Sequence, residues 1–193
     1  LELAHGPRLA NRFMLAPLTN CQSHDDGRLS DDEFRWLTMR AQGGFGLTMT
    51  CASHVQARGQ GFPGQLGVYA ERHLEGLGRL AAAIRAAGSV AMVQLHHAGM
   101  RAPPGLIGET PVCPSDDAGS GAQALTLDEV RALVDDFVAA AVRAERAGFD
   151  GVEIHGAHGY VVSQFLSPEI NRRDDASGGS PENRARLLFE IVA

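Results

Sequence analysis

Three times along this sequence a helical stretch stops at glycine and passes into a short apolar run. The first copy runs from Asp31 through Gly43 and Gly44 to residues 47–51, and the second from Arg72 through Gly88 to residues 90–95. The third runs from Leu127 through Gly148 to residues 151–154. Glycine adopts the left-handed conformation that ends a helix without steric penalty, which accounts for its place at each junction. Residues 12–16 supply a fourth and earliest strand. The runs are apolar throughout rather than alternating, the mark of strands buried on both faces. Helical connections favour parallel pairing. The chain is therefore α/β, and its pattern fits a TIM barrel and an open doubly wound sheet equally.

The helices carry signals of their own. Ser30 with Glu33, and Thr126 with Glu129, each fit a capping box. From Thr126 the apolar stripe is Val130, Leu133, Val134, Phe137, Val138 and Ala141; a second is Leu74, Leu77, Leu80, Ala81 and Ile84. Ser180 followed by Pro181 opens a last helix. Residues 101–124, rich in Pro, Gly and Ser, read as a long loop that covers a site rather than a linker. Residues 1–193 then form a single domain.

Composition removes several function classes. All 17 basic residues are arginines, so a Schiff-base lysine, lysine-held pyridoxal phosphate and a Walker lysine are all excluded. The net charge of −6 argues against a nucleic-acid surface. Cys21, Cys51 and Cys113 are odd in number and widely spaced, which suits a reducing cytoplasm better than a disulfide framework. No apolar run is long enough to cross a bilayer, and no signal-peptide pattern opens the sequence. The expectation is a cytoplasmic protein without membrane contact.

The densest polar cluster is Glu153-Ile154-His155-Gly156-Ala157-His158-Gly159-Tyr160, at the carboxyl end of the fourth strand. In either α/β architecture ligands bind at that end. One reading makes His155 and His158, with Glu153, ligands of a hydrolytic metal, but a further ligand would have to come from elsewhere. The preferred reading uses the imidazoles as hydrogen-bond donors to a substrate oxygen and Tyr160 as proton donor, with no metal. At the other strand ends stand Ala16-Pro17-Leu18-Thr19, Ala52-Ser53 and Gln94-Leu95-His96-His97-Ala98-Gly99. Small residues, a hydroxyl and a neutral amide suit a flat hydrogen-bonding heterocycle. No G-x-G-x-x-G follows any strand.

The run Gly148-Phe149-Asp150-Gly151-Val152-Glu153-Ile154-His155-Gly156-Ala157-His158-Gly159-Tyr160, continued by Gln164-Phe165-Leu166-Ser167-Pro168 and Asn171, resembles the signature of the Old Yellow Enzyme family. Gly178-Gly179-Ser180-Pro181-Glu182-Asn183-Arg184, the strand-end block at Ala16–Thr19 and the block from Gln94 to Gly99 match the same family in the same order. The resemblance implies a (β/α)8 barrel of TIM type with FMN at its carboxyl-terminal mouth, of which this sequence holds the first four β/α units. A whole barrel takes about 250 residues. The expectation is therefore the N-terminal half, paired with a C-terminal half or with a second copy.

By that resemblance the chain belongs to an FMN-dependent NAD(P)H oxidoreductase that reduces activated C=C bonds of small α,β-unsaturated substrates. Ala16, Pro17, Leu18 and Thr19 would line the flavin, Ala52 would leave room beside it, and Gln94 would hydrogen-bond its pyrimidine edge. His155 and His158 would hold the substrate oxygen, Tyr160 would deliver the proton, and Arg101 would border the substrate mouth. Met100, Asp174 and Ser177 depart from the family's usual residues. A flavin-free half-barrel acting as an assembly module is the rival reading.

Overall fold

The computed structural model describes residue 1 and residues 4–193. Strand β1 (Met14–Leu15) leads to helix α1 (Asp31–Gln42), β2 (Leu47–His54), α2 (Leu74–Ala86) and β3 (Val90–His96). An excursion follows, with α3 (Pro104–Ile107), β4 (Val112–Cys113) and β5 (Gln123–Ala124). Helix α4 (Leu127–Arg146), β6 (Gly151–Ile154), α5 (Val161–Leu166) and α6 (Pro181–Val192) complete the order. The main sheet runs β1-β2-β3-β6, all parallel. A doubly wound sheet reverses its strand order at a switch point, whereas a barrel adds strands in chain order. The four β/α units here follow chain order, as in a (β/α)8 barrel, with β1 and β6 at the two edges.

Ala91, Val93 and Leu95 alternate along β3 and share one core cluster with Leu77, Leu80 and Ile84 of α2 and Phe137 of α4. Their neighbours Met92, Gln94 and His96 consequently face the other side of the sheet, the barrel interior. Burying each Leu or Phe contributes about 1.5–3 kcal/mol. This outer layer holds the strands in register.

Several elements differ from the sequence reading. The first strand is only two residues long; ahead of it the Asn11 side chain donates to Gly44 O and accepts from Gly46 N, beside the bond from Gly46 N to Phe13 O. Strands β2 and β3 run on to His54 and His96; of the added residues Ser53, His54 and His96 are polar yet buried, so an apolar pattern ends too early. Helix α2 starts at Leu74, after a 3-10 turn over Glu71–His73. The stripe on α4 is narrower than expected: Val130, Leu133, Phe137, Ala140 and Ala144 are buried, while Val138 is 42% exposed.

Thr126 and Glu129 form the full capping box. At α1, Ser30 accepts from Glu33 N at 3.1 Å, but the Glu33 carboxylate does not return to the cap. It is fully buried and accepts instead from Ser23 Oγ and from Cys51 Sγ, the latter at 3.0 Å. A buried carboxylate needs donors, and these two lie in its own shell.

Candidate active site

Register partners in a parallel sheet share a face, so Ala52, Gln94 and Glu153 form one row across β2, β3 and β6. Gln94 Nε2 donates to Glu153 Oε1 at 2.6 Å, and the Gln94 backbone N–H donates to Thr50 Oγ1 at 3.3 Å. Gln94 Oε1 has no hydrogen-bond partner among the described residues. Beside it, Ala52 fills little space. The next residues on this face, His54 and His96, are themselves register partners.

His96 is buried. Gln65 Nε2 donates to its Nδ1 at 3.0 Å, and also to Ala52 O at 2.7 Å. That fixes the neutral tautomer with the proton on Nε2, which is buried without a partner. Burial, then the neighbouring His155, His97 and His54, hold the His96 imidazole well below its ordinary range. Its ring meets Tyr160 edge to face, with centroids 4.3 Å apart.

Beyond β6 the backbone carries one more sheet bond, His155 N to Leu95 O at 3.0 Å, and then turns. His158 at φ 56° and Gly159 at φ 68° are both left-handed. A non-glycine residue in that region is uncommon and clusters at functional sites. The turn lets Tyr160 cap α5 and swings both histidines to one side, their ring centroids 5.1 Å apart. Ala157 N donates to His155 Nδ1 at 3.3 Å, so His155 keeps its proton on Nε2. Burial, and then the nearby His158, lower the His155 pKa and favour that neutral form. The Tyr160 ring lies 5.0 Å from His155, and neither the phenol oxygen nor the His158 ring nitrogens have a hydrogen-bond partner among the described residues.

Two further residues hold this turn. Arg101 Nη1 donates to His158 O, and the guanidinium sits 5.1 Å above the Tyr160 ring. Gln164 is fully buried; it donates to Gly159 O at 2.7 Å and Ala98 O at 3.2 Å and accepts from Met100 N at 3.2 Å. It thus clamps the loop after β3 to the turn after β6. His97, which sequence groups with His96, is structural: it accepts from Gly99 N and donates to Gln56 Oε1, each at 3.0 Å.

The structure therefore brings His155, His158, Tyr160 and Arg101 together and sets Ala52 and Gln94 side by side on adjacent strands. Ala16, Leu18 and Thr19 are exposed and Pro17 half-buried, on the segment leaving the edge strand β1. Reading along the chain missed Gln65 and the inner role of His96, because a residue 31 positions away sets that tautomer. The signal for Gln164 was available: it is the one amide inside the apolar run of α5. No group of three His, Cys, Asp or Glu side chains is placed to hold a metal among the described residues, so the metal reading gains no further ligand. No helix among them is long and apolar enough to cross a membrane.

The sequence matches the model of the NADH:flavin oxidoreductase / NADH oxidase family over residues 5–193. A probable NADH-dependent flavin oxidoreductase of Bacillus subtilis (strain 168) is 41% identical over 191 residues, covering 97% of this chain and 51% of that protein. A 2-naphthoyl-CoA reductase, solved with 2-naphthoyl-CoA, superposes with a TM-score of 0.93 at 32% identity, over 95% of this chain and 31% of that one. An old yellow enzyme homologue from Zymomonas mobilis superposes with a TM-score of 0.88 at 33% identity, over 96% of this chain and 57% of that one. The chain spans about half the length of the curated relatives it matches.

Proposed function

This chain belongs to the NADH:flavin oxidoreductase / NADH oxidase family, and from that premise we propose that it carries the flavin-binding and proton-donating wall of an FMN-dependent NAD(P)H oxidoreductase acting on activated C=C bonds. The observation that carries the reading is the turn after β6, which presents the His158 imidazole, a neutral His155 and the unpartnered phenol of Tyr160 beside the Gln94 row. The residues of that row fit an isoalloxazine ring. Gln94 offers an unpaired acceptor, and Ala52 leaves the neighbouring strand end clear. Thr19, Leu18, Pro17 and Ala16 stand on the adjacent segment to border the ring. When bound, FMN supplies the hydride and NAD(P)H supplies its electrons.

The side chains account for the remainder of the reaction. His155 Nε2–H is a fixed donor because Nδ1 is already occupied. With His158 it polarises the substrate's carbonyl or nitro oxygen and stabilises the negative charge that grows there as the β-carbon is reduced. A donor of this kind contributes about 3 kcal/mol. Tyr160 passes its phenolic proton to the α-carbon, and Arg101 over its ring helps hold the ring in place. The small substrate is an α,β-unsaturated carbonyl or related compound. The two free edges, β1 and β6, are the seams at which a C-terminal half, or a second copy, completes the barrel.

A visible absorption spectrum of the purified chain with added FMN, taken beside its mass in solution, tests the reading. A perturbed flavin spectrum supports it, and a colourless dimer supports the assembly module instead. Tyr160→Phe should slow alkene reduction by about 10²-fold or more while sparing flavin reduction by NAD(P)H. Equal loss in both half-reactions removes Tyr160 as the donor.

A further inference from the structure

We infer that Glu153 is a positioning residue that fixes the polarity of the Gln94 amide, so that β3 presents any bound ring with an acceptor and the site selects a heterocycle carrying N–H at that point. This rests on the flavin reading above and adds what decides the ligand's hydrogen-bond pattern.

A glutamine amide has a donor end and an acceptor end of nearly equal shape, and its terminal torsion is soft. Left alone, Gln94 could turn either end toward a ligand. Glu153 removes that freedom, because an ionised carboxylate only accepts and the NH2 end alone can face it. The 2.6 Å separation is that of a charge-assisted bond. Both residues sit at paired register positions on neighbouring strands, so the contact does not depend on a loop. Thr50 holds the Gln94 backbone from the opposite strand. No cation pairs with Glu153 among the described residues, which leaves the carboxylate free to serve the amide. Gln94 Oε1 is then the end left to accept, on the row it shares with Ala52. An imide N–H flanked by carbonyls, as on the flavin pyrimidine, matches that acceptor; the same ring methylated on that nitrogen does not.

The test compares FMN with N3-methyl-FMN, by flavin fluorescence titration, on the wild-type chain and on Glu153→Leu, Glu153→Gln and Gln94→Leu. Wild type should prefer FMN by about 10-fold or more, roughly one hydrogen bond's worth. Glu153→Leu frees the amide and should shrink the preference to less than about 3-fold, and Glu153→Gln, able to face Gln94 either way up, should fall between. Gln94→Leu should lose the preference as well, with no further loss in the double variant. An unchanged preference in Glu153→Leu overturns the inference. The Gln94 side-chain amide resonances give a readout that needs no flavin: the Nε2 protons should show a hydrogen-bonded shift and slow solvent exchange in the wild-type chain and lose both in Glu153→Leu. Resonances indifferent to Glu153 overturn the inference on their own. Coupled resonances with no FMN binding overturn the flavin reading instead and leave the polarity of Gln94 standing.

Discussion

At the scale of single residues, the site works by removing choices. His155, His96 and Gln94 could each present more than one hydrogen-bonding face, and each has one end occupied: by Ala157 N, by Gln65 and by Glu153. Replacing either His155 or His158 with leucine should weaken a phenol ligand by about 10-fold, one net hydrogen bond each, as read by the charge-transfer band of the flavin complex. Affinity unchanged in both variants would mean that the imidazoles do not touch the ligand. The crowding of His155, His158 and Tyr160 is legible along the chain because local sequence supplies all three. What is not legible is the state of each group. Burial and a partner 31 or 59 positions away decide it, and no spacing rule reaches that far. The Ser30–Glu33 box is a similar case, since its glutamate finds Ser23 and Cys51 instead.

Between elements, the loop after β3 and the turn after β6 are joined by one buried amide, Gln164, beside the Arg101 bond to His158 O and the backbone bond from Val161 N to His97 O. Gln164→Leu removes partners from Ala98 O, Gly159 O and the Met100 N–H at once. It should cost about 2–3 kcal/mol of stability, and the Met100 amide should exchange faster with solvent. Protection of Met100 that survives the change would place the clamp elsewhere. Thr126→Ala is the control on the same architecture: it breaks the box at α4 and should cost about 1 kcal/mol without altering FMN affinity. Glycine junctions and helix caps made the order of elements readable in advance. The extent of β2 and β3 was not, because their last residues, Ser53, His54 and His96, are polar and yet buried. The loop that carries Asp174 and Ser177 is held by other side chains and by backbone: Asn171 Nδ2 donates to Ser177 O, Ser177 N donates to Asp175 Oδ1, and Arg173 pairs with Asp175 at 2.6 Å.

The whole molecule carries its histidines as an acid sensitivity. Burial pushes His54 down to about 4 and His97 down to about 3 from the ordinary 6.5. The unfolded chain therefore binds more protons than the folded one across that interval. Their stabilisation is complete above pH 6.5 and is lost as pH falls toward those lower values, at up to about 1.4 kcal/mol per pH unit for each. Urea midpoints measured from pH 8 to 4 should decline below about 6.5; a flat profile would mean that both imidazoles are hydrated in solution. The barrel type itself became visible once strands followed one another without reversal, a fact about space that repeats along the chain do not contain. The same geometry has a practical corollary. Every proposed proton and hydrogen-bond donor to substrate lies between His155 and Tyr160, anchored on both sides by backbone bonds to β3 and its loop. That stretch is a cassette: it can be transplanted or randomised as one short oligonucleotide, leaving the bed of strand ends beneath it untouched.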